Sequence, residues 1–313
     1  MRFSMQDWSN LPDCAARWIR RNVAPFPFER PIFIIAPPRS GSTFLFDALS
    51  QLRGIVSLNH EADGIWWDLF PYDQQEVPSD RVTPSEMDRS SRRNLRIRKY
   101  RAAITQTTGS SLQDLGHRLG VRPIRYLDKT IANCFRVDVL RSVFPDARFI
   151  LLVRDPRANI SSMIEGWSHL GRFGKPQLTP IIQSIENATV DHWTYPPPPG
   201  WQEIVTRSLP EICAWSWRQH VMWALDFFED TPPAALVNYE DLRDAPHDEV
   251  RRLASILDAE PTDALRSFLK SNPESDTTVS SPRKGKWREK NEDAIHDVLP
   301  QVRATARRIG YDI

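Results

Sequence analysis

Short apolar runs alternate with longer helical patterns along most of the chain. Residues 32–36 and 149–153 read as buried strands, because their apolar positions are continuous rather than alternating, and 124–127 and 235–239 are further strand candidates. A weaker run at 54–58 adds a further candidate. Between them, apolar residues recur at helical spacing over 43–51, 134–144, 157–167, 211–229, 246–257, 261–270 and 291–309. The stretch 211–229 is the clearest, with Ile212, Trp215, Met222, Leu225 and Phe228 on one side. Strands alternating with helices predict βαβ units and a central, mainly parallel sheet flanked by helices, an α/β architecture.

The first strand carries the most informative loop. Two prolines, Pro37 and Pro38, end it, since proline cannot continue a central strand. Arg39, Ser40, Gly41, Ser42 and Thr43 follow, and a helix begins. Strand, tight loop and helix N-terminus make an anion site, with free N–H groups and the positive end of the helix dipole facing the ligand. Arg39 adds a planar fork suited to phosphate or sulfate. The ATP-binding P-loop needs a glycine at the position of Ala36 and a lysine at that of Ser42. The loop is therefore P-loop-like without the lysine, and the fold class expected is a P-loop-like three-layer α/β domain.

Composition narrows the setting. A chain of 313 residues suffices for a single large domain, and 1–313 is read as one, with its core over about 31–290. The formal net charge of +1 gives no global field for nucleic acid. Cys14, Cys134 and Cys213 are widely spaced and odd in number, which argues against both a metal cluster and a disulfide framework. No apolar run approaches a membrane span. The segment 1–21 carries Asp7 and Asp13 and lacks the apolar core of a signal peptide. Its Trp8, Leu11, Ala15, Trp18 and Ile19 predict a docking helix, with a membrane-surface helix as the alternative. The expected compartment is the reducing cytoplasm.

Two stretches interrupt the core. Residues 72–120 hold a basic helix with Arg89, Arg92, Arg93, Arg96, Arg98, Lys99 and Arg101. A solvated face is the simpler reading of it, and a clamp for an acidic acceptor is the other. Residues 169–210 are loop-rich and aromatic, with a rigid Tyr195-Pro196-Pro197-Pro198-Pro199 run. Ligands of open α/β sheets bind beyond the carboxyl ends of the strands, so both insertions are candidates for acceptor walls.

The strand at 149–153 ends in Arg154-Asp155-Pro156-Arg157, with Ser162 eight positions after Arg154. Together with the 39–43 loop, this resembles the sulfotransferases that use 3′-phosphoadenosine 5′-phosphosulfate (PAPS), of the bacterial type. The resemblance implies that Arg39, Ser40, Gly41, Ser42 and Thr43 hold the 5′-phosphosulfate, and that Arg154 and Ser162 hold the 3′-phosphate. Tyr239, in Tyr239-Glu240-Asp241-Leu242, matches a family stretch near the nucleotide, and a buried structural tyrosine is the plainer alternative. Arg283-Lys284-Gly285-Lys286-Trp287 resembles two overlapping family variants, whose members place Arg283, Lys284, Gly285 and Lys286 on the cofactor. Asp128-Lys129-Thr130 matches an acidic-Lys-Thr turn whose lysine approaches the bridging oxygen.

The chemistry implied is in-line sulfuryl transfer to a hydroxyl or amine, leaving 3′-phosphoadenosine 5′-phosphate (PAP). The moving group carries about one negative charge, so no metal is required of the site. Arg39 and Lys129 would stabilise the leaving phosphate. Protein-tyrosine sulfotransferases and some bacterial members use a glutamate about twenty residues beyond the loop, and Glu61 lies twenty-two after Arg39. Glu61 is the preferred base. His60, of a residue type that titrates near neutral pH, is the alternative. The acceptor expected is a small molecule, apolar or ring-bearing; nothing in the sequence fixes the oligomeric state. Two other readings stand beside this one, a P-loop-type nucleotide kinase and a non-catalytic nucleotide-binding module.

Overall fold

A computed structural model describes residues 26–75, 78–107, 117, 119–271 and 273–313 of the chain. The docking helix expected over 1–21 lies outside the described residues. Five strands form one all-parallel sheet: β1 (Ile32–Ile35), β2 (Ile55–Ser57), β3 (Arg125–Asp128), β4 (Arg148–Val153) and β5 (Ala235–Asn238). Their order is β2-β3-β1-β4-β5. Each differs from its sequence-based bounds by a residue or two.

The sheet separates two apolar cores by strand alternation. Phe33, Ile35, Phe149 and Leu151 face one, while Ile32, Ile34, Ile150 and Leu152 face the other. Both faces being covered explains why the strands read as unbroken apolar runs. Helix α1 (Ser42–Ser50) follows β1, and α2 (Asp63–Trp67) follows β2. Helix α3 (Arg89–Thr107) precedes β3. After β3 come α4 (Val137–Val143), then β4 and α5 (Pro156–Trp167). Helices α6 (Leu170–Phe173), α7 (Thr179–Gln183) and α8 (Leu209–Phe228) precede β5. Helices α9 (Tyr239–Asp244), α10 (Pro246–Ile256), α11 (Asp263–Ser271) and α12 (Lys286–Arg308) complete the chain. Helix α8 starts where Ser208 and Glu211 form a capping box. Among the described residues, no helix is long and apolar enough to cross a membrane.

Three elements differ from expectation for physical reasons. The helix expected over 134–144 is a 3-10 turn, Ile131–Phe135, followed by α4. Arg136 breaks it with φ −131°, and its buried guanidinium is held by Asp80 at 2.5 Å. The last helix begins at Lys286, not at 291; Asn291, at φ −142°, is a kink inside it. Its side chain leaves the helix register to donate to Ser161 Oγ at 2.8 Å. Finally, α3 is not a simple solvated face. Lys99 is fully buried, Arg92 donates to Ser142 Oγ and Pro84 O, and Arg96 lies over the rings of Phe28 and Phe144. Those cations bind the domain itself instead of forming an acceptor clamp. Trp193 and Trp201 of the aromatic stretch, and Trp217 of α8, are likewise buried core.

Candidate active site

The carboxyl ends of all five strands point to one side, and each contributes a residue to a pair of adjoining cavities. Parallel register sets this up, pairing Ile35 with Leu151 and Val153 with Asn238. The chain crosses from β3 past β1 to reach β4, so the crevice beside β1 lies at a change of direction, where α/β sheets bind ligands.

The first cavity is a cleft of about 900 Å³, lined by Arg39, Gly41, Ser42, Thr43, Arg154, Ser162 and Tyr239 among others. The loop after β1 wraps over Tyr239. Gly41 takes φ +91° there, and a Cβ at that position would come within 2.5 Å of the Tyr239 ring. Glycine is needed for the backbone conformation and for the room. Arg39 itself sits at φ +64°, an uncommon left-handed residue in a tight loop. Its Nη1 donates to Thr277 O at 2.6 Å, and its plane lies 4.8 Å from the Phe173 ring. The Ser40 hydroxyl turns inward to Pro37 O, leaving its backbone to the loop.

Arg154 crosses the same loop from the other side. Its Nη1 donates to Arg39 O at 2.8 Å, and its guanidinium stacks 4.4 Å over the Tyr239 ring. Burial pulls the pKa of both Arg39 and Arg154 down. Each keeps a buried Nε without a partner among the described residues. Two desolvated, under-satisfied guanidinium groups in one cleft favour an anionic ligand. Next to Arg154, Asp155 caps α5 by accepting from Arg157 N, with Pro156 at the first helical position. The Asp155 carboxylate also takes the Arg157 guanidinium at 2.7 Å.

The segment before α12 closes the cleft. Arg283 and Lys286 line it. Lys286 reaches Glu165 at 3.0 Å and also meets Ser280, while Arg283 pairs with Glu289 at 2.5 Å. Gly285 caps α12 at φ +73°. Lys284 is exposed and stands outside the lining of the cleft. Glu165, Tyr195 and Thr277 also line it and were missed in the sequence reading. Glu165 lies three residues beyond Ser162 on α5, a spacing that puts both on one helix face and could have flagged it.

A second cavity adjoins the first and shares Thr43, Glu61, Ile131, Phe173, Tyr195 and Thr277 with it. Lys129 and His60 line only this second space. Glu61 stands at the junction. Lys129 Nζ donates to Glu61 Oε1 at 2.6 Å, and Ile131 N donates to Oε2 at 3.2 Å. The His60 side chain is exposed, with Nδ1 2.7 Å from Glu61 O. A carbonyl only accepts, so Nδ1 carries the proton and Nε2 the lone pair of the neutral ring.

Asp47, one turn after Thr43 on α1, faces the same cavity. Burial pushes its carboxyl up to about 6; Lys129 pulls it down and Asp276 pushes it further up. The folded chain therefore keeps a proton that the unfolded chain has released between about pH 4 and 6, and stability falls as pH rises through that window. Asp47→Asn removes the loss. Its melting temperature should exceed that of the unsubstituted protein at pH 7.5, with the gap shrinking towards pH 5. A gap that does not change with pH would contradict this account.

Comparison with known proteins assigns the class. The Sulfotransferase family model matches residues 31–197, more than half of the 313 residues, and the chain belongs to that family. Among solved structures, sulfotransferase STF9 from Mycobacterium avium is similar at 17% identity, over 96% of this chain and 84% of that one, with a TM-score of 0.49. A sulfotransferase from Alicyclobacillus acidocaldarius is similar at 16% identity, over 91% and 98%, with a TM-score of 0.43. Mouse sulfotransferase SULT7A1, solved in complex with PAP, is similar at 14% identity, over 92% and 88%, with a TM-score of 0.44. No curated protein matches the sequence.

Proposed function

We propose that the chain transfers a sulfuryl group from PAPS to a hydroxyl or amine of a small-molecule acceptor. The observation that carries this reading is the shared boundary between the cavities. Arg39, Gly41, Arg154 and Ser162 line one space, Lys129 lines the other, and Thr43 and Glu61 belong to both.

In this reading the nucleotide lies in the first cleft, with its 5′-phosphosulfate on the loop after β1 and its 3′-phosphate at Arg154 and Ser162. The acceptor enters through the second cavity. Its oxygen or nitrogen attacks sulfur in line, a new bond to sulfur forms, and the bond from sulfur to the bridging oxygen breaks. Charge grows on the leaving phosphate, where Lys129 and Arg39 stabilise it. The acceptor's proton passes to Glu61. Sulfuryl transfer gives the protein little covalent work; positioning and electrostatics supply the catalysis.

The direct test is ligand-induced stabilisation. A ligand that binds the folded chain alone must raise its melting temperature. PAP should raise it much more than adenosine 5′-phosphate, which offers nothing to Arg154 and Ser162. Arg154→Ala should weaken PAP binding by about 1.5–3 kcal/mol, the usual worth of a charge-assisted contact. Equal shifts for the two nucleotides, or an unchanged PAP dissociation constant in the variant by calorimetry, would place the 3′-phosphate elsewhere.

A further inference from the structure

One lysine of α3 is buried beneath the turn that carries Lys129. Lys99 and Asp128 form an ion pair with side chains 0% and 1% exposed. Lys99 also lies against the rings of Trp66 at 5.8 Å and Tyr126 at 5.5 Å. Exchanging such a pair for apolar residues is often neutral or stabilising, so stability alone does not explain its presence.

Its connections explain more. Asp128 Oδ2 accepts from Lys99 and from the Tyr126 hydroxyl at 3.1 Å. Asp128 Oδ1 accepts from Thr130 Oγ1 at 2.7 Å and from Asn133 Nδ2 at 3.1 Å. With its proton committed to Asp128, Thr130 Oγ1 offers a lone pair to Ala62 N at 2.9 Å. Ala62 directly follows Glu61. The turn 128–131 thus holds the Glu61 loop through three contacts: Thr130 with Ala62, Ile131 with Glu61, and Lys129 with Glu61.

Without its counter-ion, Asp128 would be a lone buried carboxylate, which takes up a proton or draws in water. A protonated carboxyl becomes a donor and competes for the Thr130 oxygen that accepts from Ala62. We infer that Lys99 is a positioning residue: by keeping Asp128 an acceptor, it fixes the Thr130 hydroxyl and so the placement of Lys129 against Glu61. The inference rests on the sulfuryl-transfer reading for its catalytic consequence, not for its geometry.

Lys99→Met tests it, with Lys99→Met/Asp128→Asn as a second variant that leaves no lone buried charge if the first fails to fold. Three quantities are read: the PAP dissociation constant, the rate at which acetic anhydride acylates Lys129 as located by mass spectrometry, and turnover of PAPS with water as acceptor. The expected result is a PAP affinity close to that of the unsubstituted chain and severalfold faster acylation of Lys129. The turnover number should fall by on the order of 10²-fold, the scale set by small misplacements of reacting groups, with the KM for PAPS little changed. Folded Lys99→Met with unchanged acylation and turnover would overturn the inference. In the double variant the amide oxygen at position 128 still accepts from Thr130, so acylation and turnover there should stay near those of the unsubstituted chain, and a loss as large as that of Lys99→Met would overturn it too. So would a parallel loss of PAP affinity and turnover, the mark of general loosening. If the unsubstituted chain binds no PAP, the sulfuryl-transfer reading fails, while the acylation rate still reports on Lys99.

Discussion

Lys129→Met should lower the turnover number by on the order of 10²–10³, the usual effect of removing one preorganised group that meets developing charge. Lys129 stands just beyond the carboxyl end of β3, with its side chain 8% exposed and its ammonium 2.6 Å from Glu61. A lysine held there is desolvated before the reaction starts, so little reorganisation is left for the moment of transfer. Methionine keeps the length and loses the charge. PAP binding should weaken less than turnover falls, because Lys129 lines the second cavity and can meet only the 5′-phosphate, while the other residues assigned to the nucleotide in this reading line the first cleft. Stability should also change little. Glu61 is 31% exposed and keeps the bond from Ile131 N, so its carboxylate is not stranded. Single-turnover rates at saturating PAPS, beside the PAP dissociation constant, separate these effects. Near-normal turnover in the variant would remove Lys129 from the chemistry. A collapse of PAP affinity would move it to nucleotide binding instead.

The first cleft was legible in the sequence because its signals are local. Pro37 and Pro38 end β1, Gly41 supplies a positive φ, and Asp155-Pro156 starts α5, each acting within a few residues. The central strands β1 and β4, buried on both faces, leave unbroken apolar runs that need no tertiary context. The rest of the second cavity was hidden for the opposite reason. Phe173, Tyr195, Asp276 and Thr277 come from irregular segments with no period to read, and their approach to Glu61 exists only after folding. Lys99 shows the same limit inside a regular element. On a helix rich in arginine and lysine it reads as solvated, and only Asp128, 29 residues on, accounts for its burial. Arg136 and Asn291 likewise break helical stretches because of partners far along the chain, Asp80 and Ser161.

Glu61→Gln should reduce turnover by about 10²–10⁴ on an acceptor with an unactivated hydroxyl, the range for losing a general base, and should spare PAP binding. The substitution is informative because of what Glu61 touches. Its two oxygens accept from Lys129 and Ile131 N, and the amide oxygen of glutamine can retain one of those bonds. The loop therefore stays close to its place, while the group that takes the acceptor's proton is gone. If Glu61 served only to hold Lys129, glutamine would preserve much of the activity. His60→Ala is the necessary partner experiment. His60 Nδ1 donates to the backbone oxygen of Glu61, so Nε2 retains a lone pair and the ring lines the acceptor cavity. Two candidate bases thus lie on adjacent residues, one at the junction of the cavities and one inside the second. The junction favours Glu61, since the attacking atom must reach sulfur held in the first cleft. A phenol of low pKa should blunt the Glu61→Gln defect, because it sheds its proton unaided. A dead His60→Ala beside an active Glu61→Gln would reverse the two roles. Full activity in both variants would put the base on one of the irregular segments between α5 and α8.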